Sequence, residues 1–202
     1  MGCMGDSHIP NRLGAYRELE YWNQRYKDDT NTYDWLMTFE RLRPLVLPLM
    51  KETDSVLILG CGNSTLSEQL YEDGFPHVVS IDYSEPVVET MKKRAPHLKW
   101  LQMDMRTLEF PSESFEVVFD KCSLDALFTD GGSVWDPSTQ VRSDVGACID
   151  EVLRVLKPGG TFISLSFGQP HFRKPYISRE GWTLNVEPID DTFYFLYTAI
   201  KT

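Results

Sequence analysis

No stretch of this 202-residue sequence is apolar for long enough to cross a bilayer, and its N-terminus lacks the apolar core of a secretory signal. A membrane role is therefore not expected. Positive charge is also scarce, with 20 Lys and Arg against 30 Asp and Glu, for a net charge of −10. Binding a phosphate backbone needs a basic surface, so nucleic acid is excluded as the main partner. An acidic surface suits a basic partner instead, such as a lysine-bearing protein. There are four cysteines (Cys3, Cys61, Cys122 and Cys148), with no Cys-x-x-Cys pair and no clustered histidines beside them. That spacing offers no metal site, and the cysteines read as reduced, in a cytoplasmic setting. Repeats, low-complexity segments and a linker between domains are absent too.

A single domain over 1–202 is expected, with a flexible terminus at 1–15, a helical cap at 16–50 and the core at 51–202. Gly2 and Cys3 stand where lipids attach in other chains. Asp6, however, holds the place that the myristoylation pattern gives to Ser or Thr, so the terminus reads as loose and unmodified.

Within that domain, the chain is built around residues 56–64, Val-Leu-Ile-Leu-Gly-Cys-Gly-Asn-Ser. The first four are apolar with no polar face, as in a strand buried on both sides of a parallel sheet. Gly60-Cys61-Gly62 then turns the chain into a helix, a junction where a cofactor can lie against bare backbone. Before it, apolar residues at helical spacing predict helices over 16–26 and 34–47, the second stopped by Pro48. After it, strands at 78–81, 98–102, 115–119 and 161–167 alternate with helices at 64–72, 84–95 and 144–156. Lys157-Pro158-Gly159-Gly160 forms a turn, and a final hairpin spans 182–186 and 193–200. The fold class is α/β: a Rossmann-like, doubly wound, seven-stranded and mostly parallel sheet with a C-terminal antiparallel hairpin strand.

In such sheets the ligand lies outside the carboxyl ends of the strands. Here those ends carry Gly60-Cys61-Gly62, Asp82-Tyr83, Asp104-Met105 and Asp120-Lys121. Asp82, twenty residues past Gly62, is placed to accept hydrogen bonds from a ribose diol, with Tyr83 packing on the purine or the ribose. Asp104 suits an adenine amino group and Met105 the face of its ring. Both acids could instead serve only as helix N-caps. A dinucleotide site needs a third glycine for its pyrophosphate, and Thr65 stands there. A cofactor without phosphate fits that change.

Residues 56–64, Asp82, Asp104, the strand at 115–119 and the run Leu-Arg-Val-Leu-Lys-Pro-Gly-Gly at 153–160 resemble the class I S-adenosylmethionine-dependent methyltransferases. More narrowly, Leu-Gly-Cys-Gly-Asn-Ser, Asp120-Lys121-Cys122-Ser123-Leu124-Asp125 and Tyr21-Trp22-Asn23-Gln24-Arg25-Tyr26 are similar to the elongation factor 1-alpha lysine methyltransferases, and within them to the type numbered four. The resemblance implies S-adenosyl-L-methionine as cofactor, S-adenosyl-L-homocysteine as product and elongation factor 1-alpha as the protein partner of a monomeric enzyme. It also implies cofactor contacts from Trp22, Tyr26, Trp35, Gly60, Asp82, Tyr83, Asp104, Met105 and Lys121, beside the turn residues Cys61 and Gly62.

The chain departs from the family pattern in two places. Leu59 replaces an acid that many members carry just before the glycines. Cys122 replaces a glycine, which implies that the backbone there needs less conformational freedom.

Methyl transfer from a sulfonium is an in-line displacement, so the lack of a Ser/His/Asp arrangement is in keeping with it. Asp120 and Asp125, at the end of the fourth strand, are the candidates to guide an incoming amine, and His171-Phe172-Arg173 is a candidate for the substrate mouth. Two rival readings are a methyltransferase of a small molecule, with a deep pocket roofed by the N-terminal aromatics, and a non-catalytic module that binds the cofactor.

Overall fold

The computed structural model describes residues 9–29, 31–129, 132–133 and 135–202; the lipidation question at Gly2 and Cys3 lies outside them. Two helices, α1 (Leu19–Asp28) and α2 (Phe39–Val46), precede the sheet. The sheet then follows as β1 (Val56–Leu59), α3 (Leu66–Glu72), β2 (Val78–Asp82), α4 (Glu85–Arg94), β3 (Lys99–Gln102) and β4 (Phe115–Lys121). The chain continues through α5 (Ser123–Leu127), α6 (Thr139–Val155), β5 (Leu156–Ser166), α7 (Pro170–Ile177), β6 (Trp182–Pro188) and β7 (Phe195–Lys201). In space the strand order is β3-β2-β1-β4-β5-β7-β6. Strands β1 to β5 pair in parallel, and β7 runs antiparallel between β5 and β6. The order reverses between β1 and β4, which opens a crevice at their carboxyl ends.

Alternation along β1 shows how four apolar residues serve two layers. Val56 and Ile58 pack with Phe39, Leu42, Leu66, Leu70 and Met91 on one face. Leu57 and Leu59 pack with Val141, Val145, Ile149 and Val152 on the other. All four β1 side chains are buried, so the strand has no polar face. Residues Val141, Val145, Cys148, Ile149 and Val152 recur along one side of α6, and each is at most 1% exposed.

Several boundaries differ from the sequence reading, each for a local reason. The helix expected over 34–47 begins only at Phe39. Leu36 has φ 67°, and Thr38 is extended, so 34–38 is a loop. The first helix starts at Leu19, after a 3-10 turn over Leu13–Arg17 and an extended Glu18. Helix α6 begins at Thr139, because the Ser138 side chain accepts a hydrogen bond from Val141 N–H at 3.3 Å. The turn expected at 157–160 is drawn into β5: Leu156 pairs with Phe115, then the register slips at a bulge before Val117 meets Thr161. The segment after β5, to which the sequence assigned no element, is helix α7, opened by Pro170 in its first turn.

Candidate active site

The glycine turn after β1 owes its shape to two close approaches. Gly60 has φ 54°, and a Cβ placed there would lie 2.3 Å from Ser123 Oγ. Gly62 has φ 51°, and its Cβ would lie 2.7 Å from the Tyr26 hydroxyl. Only glycine meets both conditions without moving its neighbours. The Ser123 hydroxyl lies 2.9 Å from Gly60 O and 3.1 Å from Leu59 O, which fastens α5 beneath the turn. Asp82 fastens it from the other side: its carboxylate accepts from Gly62 N–H at 3.0 Å and from Ser84 N–H at 2.9 Å. Each carboxylate oxygen keeps further acceptor capacity for a ligand. Burial pushes the Asp82 carboxyl up to about 6, although the N–H groups of Ser84, Gly62 and Tyr83 hold it back.

Above the turn lies a cavity of about 430 Å³. Trp22, Tyr26, Trp35, Gly60, Cys61, Gly62, Asp82, Tyr83, Asp104, Met105, Lys121 and Asp125 all line it. Its roof is aromatic: Trp22 stacks on Tyr26 with ring centroids 5.6 Å apart, and Trp35 meets Tyr16 edge-on at 5.9 Å and Tyr33 at 5.1 Å. Arg25 lies over the Trp35 ring at 5.1 Å and helps to hold this group together.

Asp34, which the sequence reading did not single out, fixes the roof to the floor. Its carboxylate pairs with Lys121 Nζ at 2.7 Å and accepts from Ser64 Oγ at 2.5 Å and from Thr65 Oγ1 at 3.3 Å. Burial raises the Asp34 carboxyl, but the Lys121 charge and these hydrogen bonds outweigh it, leaving Asp34 below the usual carboxylate range. Lys121 is 87 residues away in sequence, so no local pattern could have revealed the pair. Asp104 is similarly occupied. Arg106 grips it through Nε at 3.0 Å and Nη2 at 2.6 Å, and reaches Asp144 on α6 at 3.0 Å. Burial opposes ionisation of Asp104, yet the bonds from Arg106 keep its carboxyl low.

Three expectations are corrected. Asp120 does not reach the cavity: it is 0% exposed, and its carboxylate accepts from Ser164 Oγ at 2.6 Å and Leu124 N–H at 2.9 Å. A side chain without accessible surface cannot touch an incoming amine, and its burial raises the carboxyl to about 7. Cys122 needs the glycine-like freedom that its identity argued against, since its φ is 70°. His171 sits on α7 against Phe172 and Trp135, outside the cavity lining. Its neighbour Arg173 turns inward, where Nη2 pairs with Asp125 at 3.0 Å and the guanidinium lies over Phe128 at 3.8 Å. Asp125 also accepts from Ser166 Oγ at 2.6 Å and Phe167 N–H at 3.1 Å. Burial raises its carboxyl, partly offset by the Arg173 charge.

The arrangement fits S-adenosylmethionine on its own terms. The glycine turn has no room for side chains, a buried carboxylate with spare acceptor capacity stands at the end of β2, the walls are aromatic and thioether, and no third glycine prepares a pyrophosphate site. Among the described residues there is no cluster that could hold a metal ion, and no helix long and apolar enough to cross a membrane.

Comparison with known proteins gives concordant findings. A family model described as "Methyltransferase domain" matches residues 50–181. EEF1A lysine methyltransferase 4 of Bos taurus is 41% identical over 212 residues, covering 100% of this chain and 83% of the relative. The Mus musculus protein of the same name is 42% identical over 194 residues, covering 93% and 76%. Among solved structures, the N-methyltransferase NodS of Bradyrhizobium japonicum, in complex with S-adenosyl-L-homocysteine, superposes with a TM-score of 0.58. It is 18% identical, covers 90% of this chain and 98% of its own, and so speaks for the fold alone.

Proposed function

The chain belongs to the methyltransferase-domain family, among the EEF1A lysine methyltransferase 4 proteins, and from this premise we propose that it methylates a lysine side chain of elongation factor 1-alpha with S-adenosylmethionine. The observation that carries the reading is the cavity, where residues from the cap and from the ends of β1, β2, β3 and β4 converge. On this reading, Asp82 holds the ribose diol, Tyr83 and Met105 pack on the adenine, and Asp104 meets its amino group. Trp22, Tyr26 and Trp35 lie over the cofactor while Gly60, Cys61 and Gly62 form its floor. When bound, S-adenosylmethionine supplies a methyl group on a sulfonium that leaves as a neutral thioether.

The protein's own contribution is placement. Holding donor and amine in line is worth roughly 7–11 kcal/mol. A lysine must first lose its proton, and aromatic walls that exclude water lower its pKa in the required direction. Asp125 lines the cavity, and its Oδ2 accepts one hydrogen bond, from Phe167 N–H. That oxygen has capacity left to orient the amine, a role closed to Asp120. Lys121 spans floor and roof through Asp34 and the Trp35 carbonyl oxygen, at 2.7 and 3.3 Å.

The small-molecule reading also asks for an aromatic roof. Here Tyr26 covers Gly62 and the 34–35 loop covers Lys121 and Ser64, so the roof stands over the cofactor floor and does not favour that reading. We assign a monomeric enzyme and a cytoplasmic setting. The test is incubation of the purified chain with cell extract and radiolabelled S-adenosylmethionine. A labelled band at the size of the elongation factor is expected, and label confined to small molecules would overturn the reading.

A further inference from the structure

No described large apolar side chain is more exposed than Phe193, at 91%. It belongs to the turn 189–194 between β6 and β7. Because β7 is antiparallel to both β5 and β6, the carboxyl end of β6 lies at the same sheet edge as the cavity. Phe195 pairs with Ser166, and Tyr194 and Phe167, the neighbours of that pair, both line the cavity. Phe193 therefore stands one residue from the cavity wall, and Phe167, itself 49% exposed, follows the facing residue Ser166 on the other strand.

The turn holds its shape without help from Phe193. Ile189 N–H donates to Tyr194 O at 3.0 Å, Thr192 N–H to Ile189 O at 3.2 Å, and Tyr194 N–H to Thr192 Oγ1 at 3.0 Å. Ile189 and Tyr194 pack against the core, which leaves Phe193 turned outward. Beside it Asp190 and Asp191 are exposed, and neither is ion-paired among the described residues. A rigid turn that presents an aromatic anchor and two uncompensated negative charges at a cavity mouth has the chemistry of a recognition element.

We propose that the β6–β7 turn docks the basic segment that flanks the target lysine, with Phe193 seated on an apolar side chain of the substrate protein and Asp190 and Asp191 meeting its cations. This rests on the protein-lysine reading above; a small-molecule substrate would have no use for the turn.

The experiment measures steady-state kinetics on purified elongation factor 1-alpha for the wild type, Phe193→Ala, Asp190→Asn/Asp191→Asn, and Ile200→Ala. Ile200 is half exposed on β7 but pairs with Thr161 at the far end of the strand, so it serves as the control. Both turn variants are expected to raise KM about fivefold or more, with kcat, cofactor affinity and melting temperature unchanged. The effect of the double Asn variant should fade at about 1 M salt, where surface charges are screened. Ile200→Ala should match the wild type. Wild-type KM in both turn variants would overturn the docking proposal while leaving the methyltransferase reading intact. A Phe193→Ala variant that turns a dimer into a monomer on gel filtration would assign the patch to self-association instead. Failure of the wild type to methylate the factor would remove the substrate reading and the docking proposal with it.

Discussion

Cys122 holds a left-handed backbone, φ 70°, at the junction of β4 and α5. A side chain in that region costs about 1–2 kcal/mol. Cys122→Gly is expected to raise stability by up to about 1 kcal/mol once the lost thiol contacts are counted, or about 2–4 °C in melting temperature. An unchanged or lower melting temperature would show that the junction is not strained.

Asp82 gives a second residue-scale prediction. Burial lifts its carboxyl to about 6, above an ordinary value of 3.8. Folding therefore favours the protonated form: this contribution to stability is complete below the ordinary value and is lost as pH rises through about 6. Cofactor binding has the opposite sign, because only the carboxylate accepts both hydroxyls of a diol. Affinity for S-adenosylhomocysteine, followed by calorimetry, should weaken as pH falls below about 6, and Asp82→Asn should flatten that profile. A wild-type affinity constant between pH 5 and 8 would remove Asp82 from the cofactor site. Asp82 was legible in sequence because it ends a buried strand at a fixed distance from a glycine turn. The inertness of Asp120 was not legible, since neighbouring strand-end residues point to opposite faces and sequence alone does not say which face holds the ligand.

At the scale of elements, the loop 34–38 joins the cap to the sheet. Asp34 and Lys121 form a mostly buried pair, with side chains 13% and 6% exposed. Removing one partner of such a pair typically costs about 3–5 kcal/mol, because the other charge is left buried alone. Asp34→Ala should lower the melting temperature, weaken cofactor affinity about tenfold or more through loss of the fixed roof, and red-shift the tryptophan emission of the cap. Asp34→Ala/Lys121→Met should recover most of the stability but not the affinity. Full recovery of affinity would mean that the roof closes without this latch. The loop was misread as helix because Trp35, Phe39, Leu42 and Val46 happen to fall at helical spacing, while Leu36 in fact takes a positive φ. Helix α7 escaped notice for a related reason. It is short, carries an internal Pro175, and docks through the Arg173–Asp125 pair, whose partners are 48 residues apart.

For the molecule as a whole, the sheet was readable because most of the parallel strands are largely apolar runs bounded by glycines, acids or prolines, and alternation with helices leaves few ways to wind them. The closing of the cavity was not readable. It depends on Asp34 with Lys121, Arg106 with Asp144 and Arg173 with Asp125, all long-range pairs between polar residues that carry no periodic signal. These pairs turn an open crevice at the strand ends into a lined chamber with aromatic cover.

On the proposed reading, this chamber delivers a methyl group to a lysine of elongation factor 1-alpha. The most direct test of that reading is peptide mass spectrometry of purified, unmethylated elongation factor 1-alpha after incubation with the chain and S-adenosylmethionine. A lysine peptide heavier by one or more methyl groups is expected, absent when Asp82→Ala replaces the wild type. Unmodified lysines throughout, from a preparation that demonstrably binds S-adenosylhomocysteine, would contradict it.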